Sequence, residues 1–144
     1  MKILALTLLT LIWLAWSPWT RAELVVVVNA ENPLSSLSSR QLVDLYMGRS
    51  NSYPNGESAY TTDLPEQSQE RDYFYRTLVG KSSAQVNAYW ARLLFTGKSE
   101  PPQTLRSSAD VIALIKQNKN AIAYISKGDL VHGLKVVYKF EDSQ

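Results

Sequence analysis

The stretch Asp63-Leu-Pro-Glu-Gln-Ser68-Gln-Glu-Arg71 holds the residue types most able to seat a ligand. It joins a short β-type segment to a helical one, and in an open α/β sheet such a junction lies at the ligand-facing end of the strands. A helix N-terminus offers unpaired amides and the positive end of its dipole, so it can hold an anion. On this reading Ser68, Gln69, Glu70 and Arg71 are the candidate ligand-binding residues for an oxyanion, with Arg71 adding charge one turn into the helix. The same residues also fit a helix start that caps itself, with Asp63 or Ser68 as the cap and Glu70 and Arg71 in solvent. Glu66 and Glu70 favour that second reading, because two carboxylates satisfy the dipole and repel an incoming anion.

Other chemistry finds little support. Glu66, Glu70 and Asp72 sit on one helix turn and cannot face each other across a cleft, as paired catalytic carboxyls must. His132 is the sole histidine and lies in a turn from Gly128 to Gly133, where it reads as a solvated loop residue. One histidine and no cysteine leave no multi-histidine or thiolate metal site and no thiol nucleophile. No P-loop or dinucleotide fingerprint is present, so neither an enzyme nor a cofactor is expected. Tyr73, Phe74, Tyr89, Trp90 and Phe95 could stack on a sugar or base, but their helical spacing reads as core packing. Lys127, Lys135 and Lys139 form a sparse basic face that suits a solvated sheet edge.

The elements that must position these residues are well marked. Leu24-Val-Val-Val-Val28 is β-branched without alternation, as in a strand buried on both faces. Ser38 and Gln41 form a capping box for a helix with Leu42, Leu45 and Tyr46 inward, closed by Gly48. Tyr53-Pro-Asn-Gly56 is a turn, and a short strand follows at Ala59 to Thr62. A second helix starts between Pro65 and Gln69 and runs to Leu78. Ser82 or Ser83 caps a third, with Val86, Tyr89, Trp90, Leu93 and Leu94 inward, ending at Thr96-Gly97. Pro101-Pro102 enforces an extended crossing segment. Ser107 caps a fourth helix, Ala121 to Ile125 is a buried strand, and Leu134 to Phe140 alternates like an edge strand. This alternation predicts an α/β domain with a mixed sheet flanked by helices.

The chain has 144 residues, and the first 22 read as a secretory signal. Lys2 precedes the uncharged apolar run Ile3 to Trp16, and Thr20-Arg21-Ala22 suits cleavage. The run is shorter than the roughly 20 residues of a membrane span. Setting aside Lys2 and Arg21 brings the 15 basic groups level with the 13 acidic ones, so no nucleic-acid footprint remains. The expected product is a periplasmic domain over residues 23–144. Without disulfides, it must be held by its core alone.

The order of these pieces resembles one lobe of the phosphate-type periplasmic solute-binding proteins, the type 2 periplasmic-binding-protein-like family whose two-lobed members feed ABC transporters. Leu42-Val-Asp-Leu-Tyr-Met-Gly48 is similar to that family's first helix end, and Tyr53-Pro-Asn-Gly56 to its Trp-x-[ND]-Gly turn. Ser68-Gln-Glu-Arg-Asp-Tyr-Phe74 takes the place of its Ser-Gly-Thr-x-x-x-Phe anion loop, and Asn118-Lys-Asn-Ala-Ile-Ala-Tyr124 of a strand start. Ser68 keeps the family's six-residue spacing to Phe74. Gln69 and Glu70 stand where the family has glycine and threonine, and Leu64 where it has its phosphate-clamping arginine. The resemblance therefore implies a short, single-lobe relative: a solute-binding-like protein for phosphate or another small oxyanion, with a degraded anion site, serving an ABC transporter or a sensor. The alternative is a ligand-free interaction module that docks on a membrane partner.

Overall fold

Every residue of β1 (Leu24–Asn29) is buried in the computed structural model, which describes residues 23–140. The segment read as a signal, residues 1–22, lies outside the described residues. Burial on both faces explains the unbroken valine run, because this strand lies inside the sheet rather than at its edge. Four further strands complete that sheet: β2 (Tyr60–Asp63), β3 (Gln103–Thr104), β4 (Ala121–Ser126) and β5 (Leu134–Lys139). Their order is β3-β2-β4-β1-β5. β1 runs antiparallel to β4, with Val26 opposite Tyr124, and antiparallel to β5. β2 is parallel to both β4 and β3. The sheet is thus mixed, and β5 stands at its edge, both as the sequence suggests. β3 occupies part of the extended segment expected after Pro101-Pro102 and forms the opposite edge.

Among the described residues four α-helices flank the sheet, and a serine caps the start of each. Ser38 and Gln41 make the expected capping box for α1 (Ser39–Tyr46). Ser68 caps α2 (Gln69–Val79), Ser82 caps α3 (Ser83–Thr96) with Gln85 reaching back, and Ser107 caps α4 (Ser108–Gln117). A serine oxygen that accepts an otherwise unpaired first-turn amide stabilises the end by about 1 kcal/mol. Gly48 follows α1 with φ +72°, as a left-handed residue should. The side chain of Asn29 donates to the carbonyls of Ile115 (2.9 Å) and Lys116 (3.2 Å), tying the last turn of α4 to the end of β1.

The core centres on Leu42, Tyr46, Phe74, Ile115 and Ile122, all fully buried. Phe74 stacks on Tyr124 at 4.0 Å between centroids, and Tyr46 meets Phe74 edge-on at 4.8 Å. Two expectations need correction. Leu94, expected to face inward, is 54% exposed, and Phe95, expected in the core, is 95% exposed. Leu94 follows the packed face but sits in the last turn of α3, beyond Trp90, the last buried residue of that helix, whereas Phe95 lies on the opposite side of the helix from Val86 and Trp90. No helix among the described residues is long and apolar enough to cross a membrane.

Candidate functional site

Asp63 ends β2 at the carboxyl edge of the sheet, where the sequence places the ligand end, and it is 4% exposed. A buried carboxylate must collect donors or lose its charge. Asp63 collects four. The Leu64 amide donates to Oδ1 at 2.9 Å, and the Tyr124 hydroxyl donates to the same oxygen. Oδ2 accepts from the Tyr75 hydroxyl at 2.8 Å and from Arg71 Nε at 3.2 Å.

Arg71 is 5% exposed, which corrects the expectation that it lies in solvent. Each of its three nitrogens has an acceptor. Nε donates to Asp63, Nη1 to the carbonyl and hydroxyl of Ser83, and Nη2 to Asn87 Oδ1 at 2.9 Å. The guanidinium carbon lies 5.2 Å from the centroid of the Tyr75 ring, within cation–π range. The arginine therefore fastens the end of β2 to the start of α3 from within α2. An Asp63–Arg71 pair also leaves no net charge with which to attract an anion.

The other three candidates are equally engaged or turned outward. Ser68 Oγ accepts the Arg71 amide at 3.1 Å and donates to Glu70 Oε2 at 3.0 Å. Glu70 is half-buried against that hydroxyl, while Gln69 is exposed. Glu70 and Asp72 place two carboxylates in the first turn of α2 and so already answer its dipole. Asp72 accepts from Arg76 at 2.6 Å and from the Ser83 amide, bonds that lower its pKa. Leu64, which stands in the place of the family's arginine, is buried in the core. The structure brings Ser68, Glu70 and Arg71 together, but as a helix cap and a buried tether. Only the first-turn amides of Gln69 and Glu70 stay open at that end.

The phenols around Asp63 share its environment. Burial, and then the Asp63 charge, hold Tyr46, Tyr75 and Tyr124 well above the ordinary tyrosine range. Beside the pair an open cleft of about 310 Å³ is walled by Asn87, Trp90, Leu94, Pro101 and Thr104, with Asp63 and Arg71 at its floor. Trp90 Nε1 is buried without a hydrogen-bond partner. No group of histidine, cysteine, aspartate or glutamate among the described residues is arranged to hold a metal ion. His132 is exposed in the turn before β5, as expected. Sequence reasoning missed Asp63 as a site residue. Its signal is faint: an aspartate at the end of a short Tyr-Thr-Thr strand, eight residues before an arginine.

No family model matches the chain, and no curated protein sequence does. Solved structures do. A protein described as a phosphate ABC transporter substrate-binding protein from Clostridium perfringens, with bound phosphate, superposes with a TM-score of 0.65 at 20% identity, over 80% of this chain and 44% of that one. An ABC-type phosphate transport receptor from Vibrio cholerae gives 0.63 at 20% identity, over 80% and 45%. PstS from Borrelia burgdorferi gives 0.61 at 12% identity, over 80% and 46%. The chain thus spans less than half the length of each of these structures. It has the fold of one lobe of a phosphate-type substrate-binding protein, as the four sequence stretches imply.

Proposed function

We propose that this chain is an exported solute-binding-type lobe whose oxyanion site is closed by its own side chains, and that it works in the cell envelope by contact with a membrane partner. The commitment of Arg71 to Asp63, Ser83 and Asn87 carries this reading. A guanidinium that clamps phosphate presents an uncommitted N–H fork and uncompensated charge; here each of the three nitrogens already donates within the fold and Asp63 balances the charge. The partner is a membrane transporter or sensor of the kind that reads such lobes. Export rests on residues 1–22, with Ala22 as the last residue of the signal, and no enzymatic step is assigned.

One observation favours a second reading, that of a phosphate receptor for an ABC transporter. The chain shares its fold with a structure that holds phosphate, and the amides of Gln69 and Glu70 stay open at the α2 end. An envelope pull-down with the full chain, beside a thermal-shift series in phosphate and sulfate, separates the two. A transporter or sensor subunit retained on the chain, with no thermal shift in either anion, supports the contact reading. Stabilisation by phosphate without a retained protein supports the receptor.

A further inference from the structure

Four of the seven asparagines in the chain bend back on it in the same way. The side-chain oxygens of Asn29, Asn32, Asn55 and Asn118 each accept the amide two residues ahead, at 2.8–3.1 Å. Such a contact folds the carboxamide across the intervening peptide and holds Cγ beside the nitrogen of the next residue. That nitrogen attacks Cγ once it gives up its proton, and an intramolecular reaction needs this kind of proximity. The donor to Oδ1 helps a second time, because it stabilises the negative charge that develops there.

Three of the four are blocked. Asn32 precedes Pro33, which has no N–H to lose. Asn29 is buried, and its Nδ2 is held by the carbonyls of Ile115 and Lys116. Asn118 precedes Lys119, whose side chain crowds the ring that would form. Asn55 instead precedes Gly56; both are exposed, and a Cβ placed at Gly56 would meet nothing within 4 Å. Asn55 is the second central residue of a type I turn, closed by the Gly56 amide on the Tyr53 carbonyl at 2.9 Å. Gly56 follows at φ +88°, and the Tyr53 amide donates to the Glu57 carbonyl at 2.8 Å. The Gly56 bond must open before its nitrogen reacts, and it lies at an exposed turn, where local opening costs least.

We propose that Asn55-Gly56 is a self-modifying site, at which Asn55 converts without an enzyme to an aspartyl or isoaspartyl residue. The Gly56 nitrogen loses its proton to hydroxide and bonds to Cγ. The Cγ–Nδ2 bond breaks, and ammonia leaves with a proton taken from water. One water molecule then opens the resulting five-membered imide. Breaking the new N–Cγ bond gives the aspartyl form, and breaking the bond to the main-chain carbonyl carbon gives the isoaspartyl form. Water replaces ammonia, and nothing is oxidised or reduced. Either product puts a carboxylate on the turn. The isoaspartyl form also adds one atom to the main chain, between the two bonds that fix the turn to Tyr53.

The purified chain, held for weeks at mildly alkaline pH, is digested and mapped by mass spectrometry with fragmentation that localises each change. Position 55 should gain about 1 Da, as an amide becomes a carboxyl group, ahead of every other asparagine and with isoaspartyl among its products. Glu57→Pro removes the amide that donates to Oδ1. Its fold checked by circular dichroism, it should slow the conversion about fivefold, the equivalent of one ordinary hydrogen bond. Lys119→Gly lifts the crowding at Asn118 and should bring conversion there as well. The proposal is overturned if position 55 keeps its amide, or if Asn51 or Asn118 converts first in the unaltered chain. It is equally overturned if folded Glu57→Pro converts as fast as the unaltered chain, or if Lys119→Gly leaves Asn118 intact.

Discussion

Asp63 Oδ2 and Arg71 Nε lie 3.2 Å apart with both side chains under one-tenth exposed, and this pair fastens the end of β2 to α2. Removing one member of such a pair strands the other as an uncompensated buried charge, at a cost of about 3–5 kcal/mol. Arg71→Met and Asp63→Asn should each lower the free energy of unfolding by about that amount. The double variant should lose less than the sum, because it strands no buried charge. Urea unfolding of the three chains measures this; additive losses would mean the two groups do not interact.

The tyrosines around the pair predict an alkaline limit. Burial, first of all, raises Tyr46, Tyr75 and Tyr124 well above 10.0, and burial likewise raises Tyr53. The unfolded chain releases these phenolic protons near pH 10, whereas the folded chain keeps them. Stability is therefore whole below about pH 10 and falls as pH rises towards the folded values, by about 1.36 kcal/mol per pH unit for each such tyrosine. Phenolate absorbance followed together with circular dichroism should show these tyrosines ionising only as the fold is lost. Ionisation of all eight tyrosines near pH 10 with the fold intact would contradict the packing described.

What could be read from the sequence was local. Ser38, Ser68, Ser82 and Ser107 each cap a helix by accepting the amide three residues ahead; spacing singles out Ser38 and Ser107 and leaves Ser68 beside Asp63, and Ser82 beside Ser83, as alternatives. The buried strands announce themselves through β-branched runs. Arg71 could not be placed this way, because its burial depends on meeting Asp63, Ser83 and Asn87 across three elements. β3 is a two-residue strand held by its neighbour, with no periodicity to show. Phe95 is exposed because it lies on the side of α3 opposite Val86 and Trp90, which a count of aromatic residues along the helix does not reveal.

Trp90 and Gly48 should prove mutually dependent. A Cβ added at Gly48 would sit 2.6 Å from Trp90 Cη2, and Gly48 holds φ +72°. Gly48→Ala therefore combines a left-handed penalty of about 1–2 kcal/mol with overpacking of about 1–3 kcal/mol. Gly80→Ala, at φ +68° in open space, should show the first cost alone. Trp90→Ala should cost about 3–5 kcal/mol. Unfolding midpoints test all three; equal losses at Gly48 and Gly80 would mean that the indole does not pack where described.

Export predicts a defined mature end. N-terminal sequencing of the protein recovered from the periplasm should begin Glu23-Leu24-Val25. Recovery of a chain that begins at Met1 from the membrane fraction would make residues 1–22 an anchor instead.

The internal satisfaction of Ser68 and Arg71 is tested most directly by calorimetric titration of the purified chain with phosphate, at low and at physiological salt. A few helix amides, open to water and flanked by Glu70, should bind no tighter than about 0.1 mM, or roughly −5.5 kcal/mol. Ser68→Ala should cost a helix cap of about 0.5–2 kcal/mol in stability and remove what weak binding there is, while Glu70→Thr should strengthen it. Micromolar phosphate affinity in the unaltered chain would contradict the account.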